Sequence, residues 1–474
     1  MRRGPAIVLV GALLGGCVDA PATTPRETAL KGEALGLGAL PAPVIADRWW
    51  TAFGDPQLDA LVDRAIAGNP SLAVAQARVR AAQAQLSATR ALTYPQVTLS
   101  GQEAQEHLSK NYIIPPPFGG TDRWIGTVEA DLSWSLDFFG KQDAQVAQAR
   151  ATAGAVELDA TAARLMLAGT VTNAYVALWR ADVLIDVDRD TVIQREGILA
   201  LTAGRVRAGL DTNASQEQAR ALLAFSREEL TRAVAVRDLA VHQIAALIGR
   251  GADAYAIDRP HLDAAALALP GTLPADLLAR RADIAAAQLR IAAAFQGREV
   301  ARKAFYPDIN LIALAGTAAI GLGPLLSSSS FQYGAGAAIH LPIFDAGKLR
   351  ADYAGATAGL DEAVADYNRS VVEAVKETAD ALTQLNAVQS QAADARAALA
   401  SARASFDLAT QRYRSGLSPQ QTALDAESLL IQARDQTATL DADTLSARVT
   451  LLMALGGGYR AQPDIASNPD NAHE

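Results

Sequence analysis

Few side chains in this sequence are arranged for chemistry. The five histidines lie far apart, at positions 107, 242, 261, 340 and 473, without the paired spacing of metal ligands. No Gly-x-Ser-x-Gly motif, phosphate-binding loop or dinucleotide-binding glycine motif occurs. Cys17 is the only cysteine, so an internal disulfide bond is impossible. The sequence therefore predicts a protein that is not an enzyme and needs no metal, and it leaves the thiol of Cys17 as a candidate for modification.

The residues before Cys17 predict that a lipid is attached to it. Two arginines and an apolar run from Ala6 to Leu14, too short to span a bilayer, are typical of a secretory signal. The run ends in Leu14-Gly15-Gly16-Cys17, which resembles the cleavage motif of bacterial lipoproteins. We expect residues 1–16 to be removed and Cys17 to be acylated, with no other cofactor. The alternative is an ordinary signal peptide cleaved nearby, which would leave Cys17 as a free thiol.

The composition excludes some classes of partner. The chain has 474 residues, half of them hydrophobic, and a formal net charge of −9. A surface that binds nucleic acid needs an excess of lysine and arginine, so we expect no nucleic-acid partner. Aromatic residues make up only 5% of the chain, and such a composition suits close packing of helices more than a large aromatic core.

Two regions of the chain alternate between apolar and polar residues, which predicts strands with one apolar and one polar face. The clearest, from Trp124 to Phe138, is long enough to cross a bilayer at a tilt, and its acids would then face a water-filled lumen. The predicted strands cover residues 96–110, 124–138, 307–318 and 331–343. A half-buried strand of a soluble sandwich is the alternative, although such strands usually have about five or six residues.

A long helical hairpin is predicted after the first pair of strands. Apolar residues recur at steps of three and four from Gly140 to about Ala208, which gives roughly 65 residues or about 100 Å of helix. The turn Arg207-Ala208-Gly209-Leu210 follows, and a second helix returns from about Asn213 to Ile248. A hairpin of this length needs partner helices along it, so it belongs in a tube or bundle.

The second half of the chain repeats this order. Gly347, Gly416 and Gly456 follow Gly140, Gly209 and Gly249 at a common offset of 207 residues, each at the same kind of boundary. We therefore predict a first repeat over 49–260 and a second over 261–460. An extended, lipid-anchored tether at 17–48 precedes them, and a flexible tail at 461–474 follows. Because four strands cannot seal a membrane barrel, other subunits must supply the rest.

Several motifs spread over most of the chain carry a family resemblance. They are Trp49-Trp50, Asp55-Pro56, Asn69-Pro70-Ser71-Leu72, Tyr94-Pro95, Asp137-Phe138-Phe139-Gly140, Leu341-Pro342-Ile343-Phe344-Asp345-Ala346-Gly347 and Ala454-Leu455-Gly456-Gly457-Gly458. With them the chain resembles the TolC-type outer-membrane factors, and most of all their lipoprotein branch, the NodT-like and OprM-like efflux channels.

The resemblance implies an α+β membrane protein. Four strands from each subunit of a homotrimer would form one twelve-stranded barrel in the bacterial outer membrane. The helices would continue it into the periplasm as an α-helical coiled-coil barrel. The assembly would be a passive duct for cargo delivered by an inner-membrane pump of the RND type through a periplasmic adaptor, or membrane fusion protein.

The resemblance also implies site residues. Leu424-Asp425-Ala426 matches the family motif at the periplasmic gate, and Thr422 stands where some relatives have a second acid. Three symmetry-related copies of Asp425 would form an acidic ring. The two turns resemble those that dock on the adaptor, through Arg207, Gly209, Arg414 and Gly416. The alternatives are a solvated acid at 425 and ordinary helix capping at the turns.

Two other functions remain open at this point. A periplasmic coiled-coil adaptor would have only one long hairpin, flanked by strands of a soluble barrel. A structural envelope lipoprotein would have no amphipathic strands. The second pair of strands therefore favours the channel.

Overall fold

The computed structural model describes residues 23–37, 45–111, 113–262, 272, 274 and 276–460. The predicted signal peptide, Cys17 and the tail at 461–474 lie outside them. The described helices and strands follow one another in this order: α1 Pro56–Gly68, α2 Pro70–Ala91, β1 Gln96–His107, β2 Asp122–Leu136, α3 Lys141–Arg207, α4 Asn213–Leu247, α5 Ala282–Lys303, β3 Asp308–Ile320, β4 Phe331–His340, α6 Lys348–Arg414 and α7 Gln420–Ala454.

The repeat predicted from the glycines is present in the long helices. Helices α3 and α6 each have 67 residues, and helices α4 and α7 each have 35. Each of the two long helices of the second half begins 207 residues after its counterpart in the first. The internal two-fold repeat is thereby confirmed. Among the described helices, none combines the length and the apolar character that crossing a membrane requires.

The chain divides into two compact units, and each contains parts of both repeats. The first comprises Val79–Val156 and Ala287–Tyr367, with the described part of Met1–Ala29. The second comprises Leu30–Arg78, with the described parts of Glu157–Ala286 and Asn368–Glu474. The strand pairs of both repeats thus belong to the first unit, while most of both helical hairpins belongs to the second.

A four-stranded antiparallel sheet in the order β1-β2-β3-β4 forms the first unit's main feature. The strands of the two repeats join where β2 pairs with β3. The fourth strand is shorter than predicted, since it ends at His340 and not at Ile343. Pro342 has no backbone N–H to donate to a neighbouring strand, which explains why the alternating pattern outruns the strand.

The described N-terminal segment of the first unit, residues 23–29, forms no helix or strand, and it is hydrogen-bonded to helices. The backbone N–H groups of Arg26 and Glu27 donate to the carboxylate of Asp361 on α6, at 2.7 and 3.1 Å. The guanidinium of Arg298 on α5 donates to the carbonyl oxygen of Thr23 at 3.0 Å. The described part of the tether therefore has defined partners on the protein.

The core of the second unit is built around the start of the first repeat. Trp49, Trp50 and Phe53 are buried together with one face of α1 and with residues of α3, α4 and α7. Asp55 caps α1, because its carboxylate accepts from the N–H of Gln57 at 2.9 Å. Its other oxygen accepts from the hydroxyl of Tyr175 on α3 at 2.6 Å. The predicted helix start at Asp55-Pro56 is confirmed.

Candidate functional site

The two turns between the long helices have the same backbone geometry. Gly209 and Gly416 have φ angles of 72° and 76°, a region that other residues adopt only with strain. The N–H of Leu210 donates to the carbonyl of Arg205, and that of Leu417 to the carbonyl of Arg412, both at 2.9 Å. These bonds satisfy carbonyl groups at the helix ends. The glycines at both turns therefore terminate helices, as the capping alternative requires.

Arg207 and Arg414 are the last residues of α3 and α6, and both side chains are exposed. Within the described ranges, neither guanidinium forms an ion pair. Leu210 and Leu417, one residue after each glycine, are 65% and 71% exposed. Each turn thus presents one cation and one apolar side chain to the surroundings, and the adaptor-docking role of the turns stays a prediction.

A cluster of polar side chains connects the two turns within one subunit. The hydroxyl of Tyr413 donates to the carboxylate of Asp211 at 2.9 Å, and the guanidinium carbon of Arg205 lies 4.7 Å from the centre of the Tyr413 ring. Arg205 also donates to the carbonyl oxygen of Tyr413 at 3.2 Å. The amide of Gln420 donates to the hydroxyl of Thr202 at 2.9 Å, which lies 3.1 Å from the Tyr413 hydroxyl. We call these five residues the turn cluster.

Hydrogen bonds and burial set the charge states of Asp211 and Tyr413 in the turn cluster. Burial raises the pKa of Asp211, but hydrogen bonds from Ser215, Thr212, Tyr413 and Arg205 outweigh it, so the pKa lies below its usual value. Burial raises the pKa of Tyr413, so its hydroxyl keeps its proton. The cluster therefore ties the first turn to the second through an ionised carboxylate and a neutral phenol.

The two predicted gate residues lie on the exposed side of α7. The carboxylate of Asp425 accepts from the side-chain amide of Gln421 at 2.7 Å, and Gln421 in turn accepts from Gln218 of α4 at 3.4 Å. Thr422, in the first turn of α7, is also exposed. The described residues contain no group of three or more His, Cys, Asp or Glu side chains that could hold a metal ion. In one subunit, Asp425 therefore accepts a hydrogen bond from Gln421 and remains open to solvent.

A groove between α3, α4 and α7 brings three more acids together. Asp188, Glu229 and Asp435 line it, beside Arg195 and Arg232. Burial, together with the charges of Asp435 and Glu229, raises the pKa of Asp188 to about 6. Burial and the charge of Glu229 likewise raise the pKa of Asp435. In this groove, ionisation of Asp188 and Asp435 is therefore less favourable than it is in water.

The sheet of the first unit has one polar and one apolar face, as predicted. Ser100, Glu129, Gly316 and Gln332 are neighbours across the four strands, and the Gln332 amide donates to the Glu129 carboxylate at 2.6 Å. The next row, on the other face, contains Leu99, Ala130, Ala315 and Tyr333. In this row the two outer side chains, Leu99 and Tyr333, are 78% and 80% exposed. An apolar face with such exposure suits contact with lipid.

Comparison with known proteins identifies the family. The profile of the family described as outer membrane efflux protein matches residues 61–250 and 273–457. The chain belongs to the outer membrane efflux protein family. The two matched stretches fall one in each predicted repeat.

Individual members of the outer membrane efflux protein family agree with this assignment. Fusaric acid resistance protein FusA of Burkholderia cepacia is 36% identical over 372 residues, covering 75% of this chain and 69% of the relative. The putative multidrug resistance outer membrane protein MdtQ of Escherichia coli K12 is 30% identical over 434 residues, covering 87% and 88%. The crystal structure of the outer membrane protein VceC of Vibrio cholerae superposes with a TM-score of 0.81 at 32% identity, covering 87% and 99%. The outer-membrane channel OprN gives a TM-score of 0.81 at 28% identity, covering 93% and 99%.

Membership of the outer membrane efflux protein family confirms the main predictions. The chain is an efflux channel component of the outer membrane, with the fold of solved outer-membrane channels, and it is not an enzyme. This favours the channel over the adaptor and the structural lipoprotein. Lipid attachment at Cys17 stays a prediction.

Sequence patterns did not reveal the turn cluster. They pointed to Arg207 and Arg414, the exposed cations beside each glycine. The residues that connect the turns are Arg205, Asp211 and Tyr413. A tyrosine next to a turn, on a helix rich in alanine, was a signal that could have found one of them.

Proposed function

We propose that three copies of this chain form one continuous duct through the outer membrane and into the periplasm. The observation that carries this proposal is the sheet. Its outer strands, β1 and β4, each have one edge that pairs with no other described strand, and both are exposed almost throughout. Unpaired strand edges cannot lie in lipid, so neighbouring subunits must pair with them. Three sheets of four strands give a closed barrel of twelve.

We propose that cargo enters at the turns of the helical hairpins. A periplasmic adaptor would contact the exposed pairs Arg207 with Leu210 and Arg414 with Leu417, and an inner-membrane pump of the RND type would supply the cargo. Relatives are named for fusaric acid resistance, pyoverdine export and multidrug resistance, which supports small organic compounds as the cargo class. Acylation of Cys17 would anchor each subunit to the outer membrane.

The assembly is tested with the purified full chain in detergent and in planar bilayers. We expect the native mass of a trimer and a single-channel conductance. A monomeric mass without conductance would contradict the duct. For the anchor, we expect the variant Cys17→Ser to lose incorporation of radiolabelled palmitate; equal labelling of the variant and the parent chain would contradict lipid attachment.

We propose that Asp425 and Thr422 line the periplasmic gate. Three Asp425 carboxylates at one level would bind divalent cations, which would block conductance. We expect Asp425→Asn to weaken block by Mg²⁺ about tenfold or more, since the ring loses its charge. Asp407→Asn, at an exposed acid elsewhere on the second hairpin, is the matched control. Equal block in both variants and the parent chain would contradict the gate.

A further inference from the structure

Two loops join the strands at the end of the sheet opposite to the starts of α3 and α6. Loop 1 (residues 108–121) connects β1 with β2, and loop 2 (residues 321–330) connects β3 with β4. In loop 1, the guanidinium carbon of Arg123 lies 5.7 Å from the centre of the Phe118 ring. Arg123 and Glu129 are six residues apart on β2, so both belong to the polar face. The described part of loop 1 therefore contacts the polar face of the sheet.

Loop 2 contacts the opposite face of the sheet. Gly126 is four residues from Ala130 on β2, so it belongs to the apolar face. A Cβ atom added at Gly126 would lie 2.9 Å from Cδ2 of Leu325, which is closer than Cβ atoms come to other atoms in proteins. The side chain of Leu325 therefore covers the backbone of Gly126 on the apolar face, and only glycine leaves room for it.

Hydrogen bonds within loop 2 and to β2 fix the shape of this loop. The N–H of Gly321 donates to the carbonyl oxygen of Trp124 at 2.6 Å, and that of Ser327 donates to the carbonyl oxygen of Pro324 at 2.9 Å. The hydroxyl of Ser330 donates to the same oxygen of Pro324 at 2.7 Å. Polar groups that leave water without a partner cost free energy. The internal bonds of loop 2 therefore suit a loop that is surrounded by apolar groups.

The side chains that loop 2 presents to its surroundings are apolar. Its ten residues include three leucines and no charged side chain. Leu322 and Leu326 are 56% and 85% exposed. Such exposure in water forfeits the favourable transfer of these side chains to an apolar medium. Because loop 2 continues the apolar face of the sheet, which suits contact with lipid, the same lipid is the partner that fits the two leucines.

We propose that loop 2 lies in the outer leaflet of the outer membrane, where Leu322 and Leu326 contact the acyl chains of lipids, while loop 1 borders the mouth of the duct. The inference rests on the proposed barrel. Glu103 pairs with Gly126 across β1 and β2, and it places an exposed carboxylate on the apolar face. A carboxylate there marks the border of the acyl region. The leucines of loop 2 therefore enter the leaflet only to the level where acyl chains meet headgroups.

Fluorescent labels on single thiols test the position of loop 2. Leu326→Cys, Ile113→Cys and Tyr333→Cys are each made in the full chain with Cys17→Ser, labelled with nitrobenzoxadiazole and reconstituted into vesicles of phosphatidylethanolamine and phosphatidylglycerol. Ile113 of loop 1 is the matched control, because it is an aliphatic side chain with 80% exposure. We expect spin-labelled lipids to quench the labels at positions 326 and 333, and iodide to quench the label at position 113. Spin labels near the headgroup should quench position 326 about twofold more than spin labels near the chain end, because the contact is shallow.

Two glycines of the apolar face test the contact that holds loop 2. Gly126→Val removes the space above Gly126 that Leu325 occupies, so we expect the label at position 326 to lose its quenching by spin-labelled lipids and to become accessible to iodide. Gly101→Val is the matched control, since an added Cβ at Gly101 meets nothing within 4 Å. Equal quenching in both variants and the parent chain would contradict the role of Leu325 in positioning the loop.

The label at position 333 separates this inference from the proposed duct, because Tyr333 lies on the apolar face of the sheet itself. If spin-labelled lipids quench position 333 while only iodide quenches position 326, the sheet is in the bilayer and loop 2 is not. That result would overturn the inference and leave the duct intact. If spin-labelled lipids quench neither position, the sheet is not in the bilayer, and both the inference and the duct are overturned.

Discussion

The two helical hairpins have the same dimensions and different surroundings. Corresponding helices of the two hairpins have the same number of residues, and the two turns share one hydrogen-bond pattern. Yet α7 has fifteen buried residues and α4 has six. Thr212 caps α4 through its side chain, whereas Pro419, before α7, has no side-chain cap. After duplication, the backbone has been retained while the contacts of each hairpin have diverged. The second hairpin is the more enclosed, and polar side chains connect it to the first.

The largest difference between the turns should come from Tyr413. Its counterpart in the first repeat is Val206, so truncation tests what the aromatic ring adds. We expect Tyr413→Ala to destabilise the turn region by about 3–5 kcal/mol, because it removes a buried ring, the hydrogen bond that its hydroxyl donates to Asp211 and the contact of the ring with the Arg205 guanidinium. Tyr413→Phe, which removes only the hydroxyl, should cost about 1 kcal/mol. Hydrogen exchange at the two turns measures the loss of stability in each of these two variants. Equal exchange in Tyr413→Ala and the parent chain would show that the turn cluster does not hold the turns together.

Substitution of the turn glycine should have the same effect on stability in both hairpins. We expect Gly209→Ala and Gly416→Ala to cost about 1–2 kcal/mol each, since both positions need a left-handed backbone. An added Cβ would meet nothing within 4 Å at Gly209, and only Arg205 at 3.9 Å at Gly416. The cost is therefore conformational and should be the same in both. A difference of several kcal/mol between the two, by hydrogen exchange, would show that the backbones are not equivalent.

Removing the side-chain cap that Thr212 provides should make the start of α4 resemble the start of α7, which has no such cap. The hydroxyl of Thr212 accepts from the N–H of Ser215 at 3.1 Å. We expect Thr212→Ala to cost about 1 kcal/mol and to increase hydrogen exchange in the first turn of α4 only. Thr212→Ser, which keeps the hydroxyl, is the control. Faster exchange in the control as well would point to packing of the methyl group as the cause.

The smallest effect concerns Asp188, whose counterpart is the buried Ala395. The pKa of Asp188 in the folded protein is about 6, above the value of 3.8 for a free side chain. The folded state therefore binds its proton more tightly than the unfolded state, and stability falls as pH rises from about 4 to about 6. We expect Asp188→Asn to raise the thermal midpoint slightly at pH 7.5 and to leave it unchanged at pH 4. A lower midpoint at pH 7.5 would mean that the carboxylate has a stabilising partner.

Local patterns were sufficient to predict the four long helices and, to within three residues at each end, the four strands. Alternation identified β2, proline and glycine marked the helix ends, and the common spacing of the glycines revealed the repeat. The turn cluster could not be predicted in this way. Asp211 and Tyr413 lie 202 residues apart in sequence, and their meeting depends on how the first hairpin packs against the second. A single sequence contains no record of that packing.

Corresponding long helices of the two repeats have equal lengths, and this restricts which insertions and deletions the gene can accept. Deleting one codon within α6 would shift everything beyond it by about 1.5 Å and rotate it by about 100°, which would separate Tyr413 from Asp211. Insertions are tolerable only in near-whole numbers of turns, such as seven residues, and only when both arms of a hairpin change together. Homologues that differ in total length should therefore differ in the loops between the strands and in the termini, while the four long helices keep their spacing.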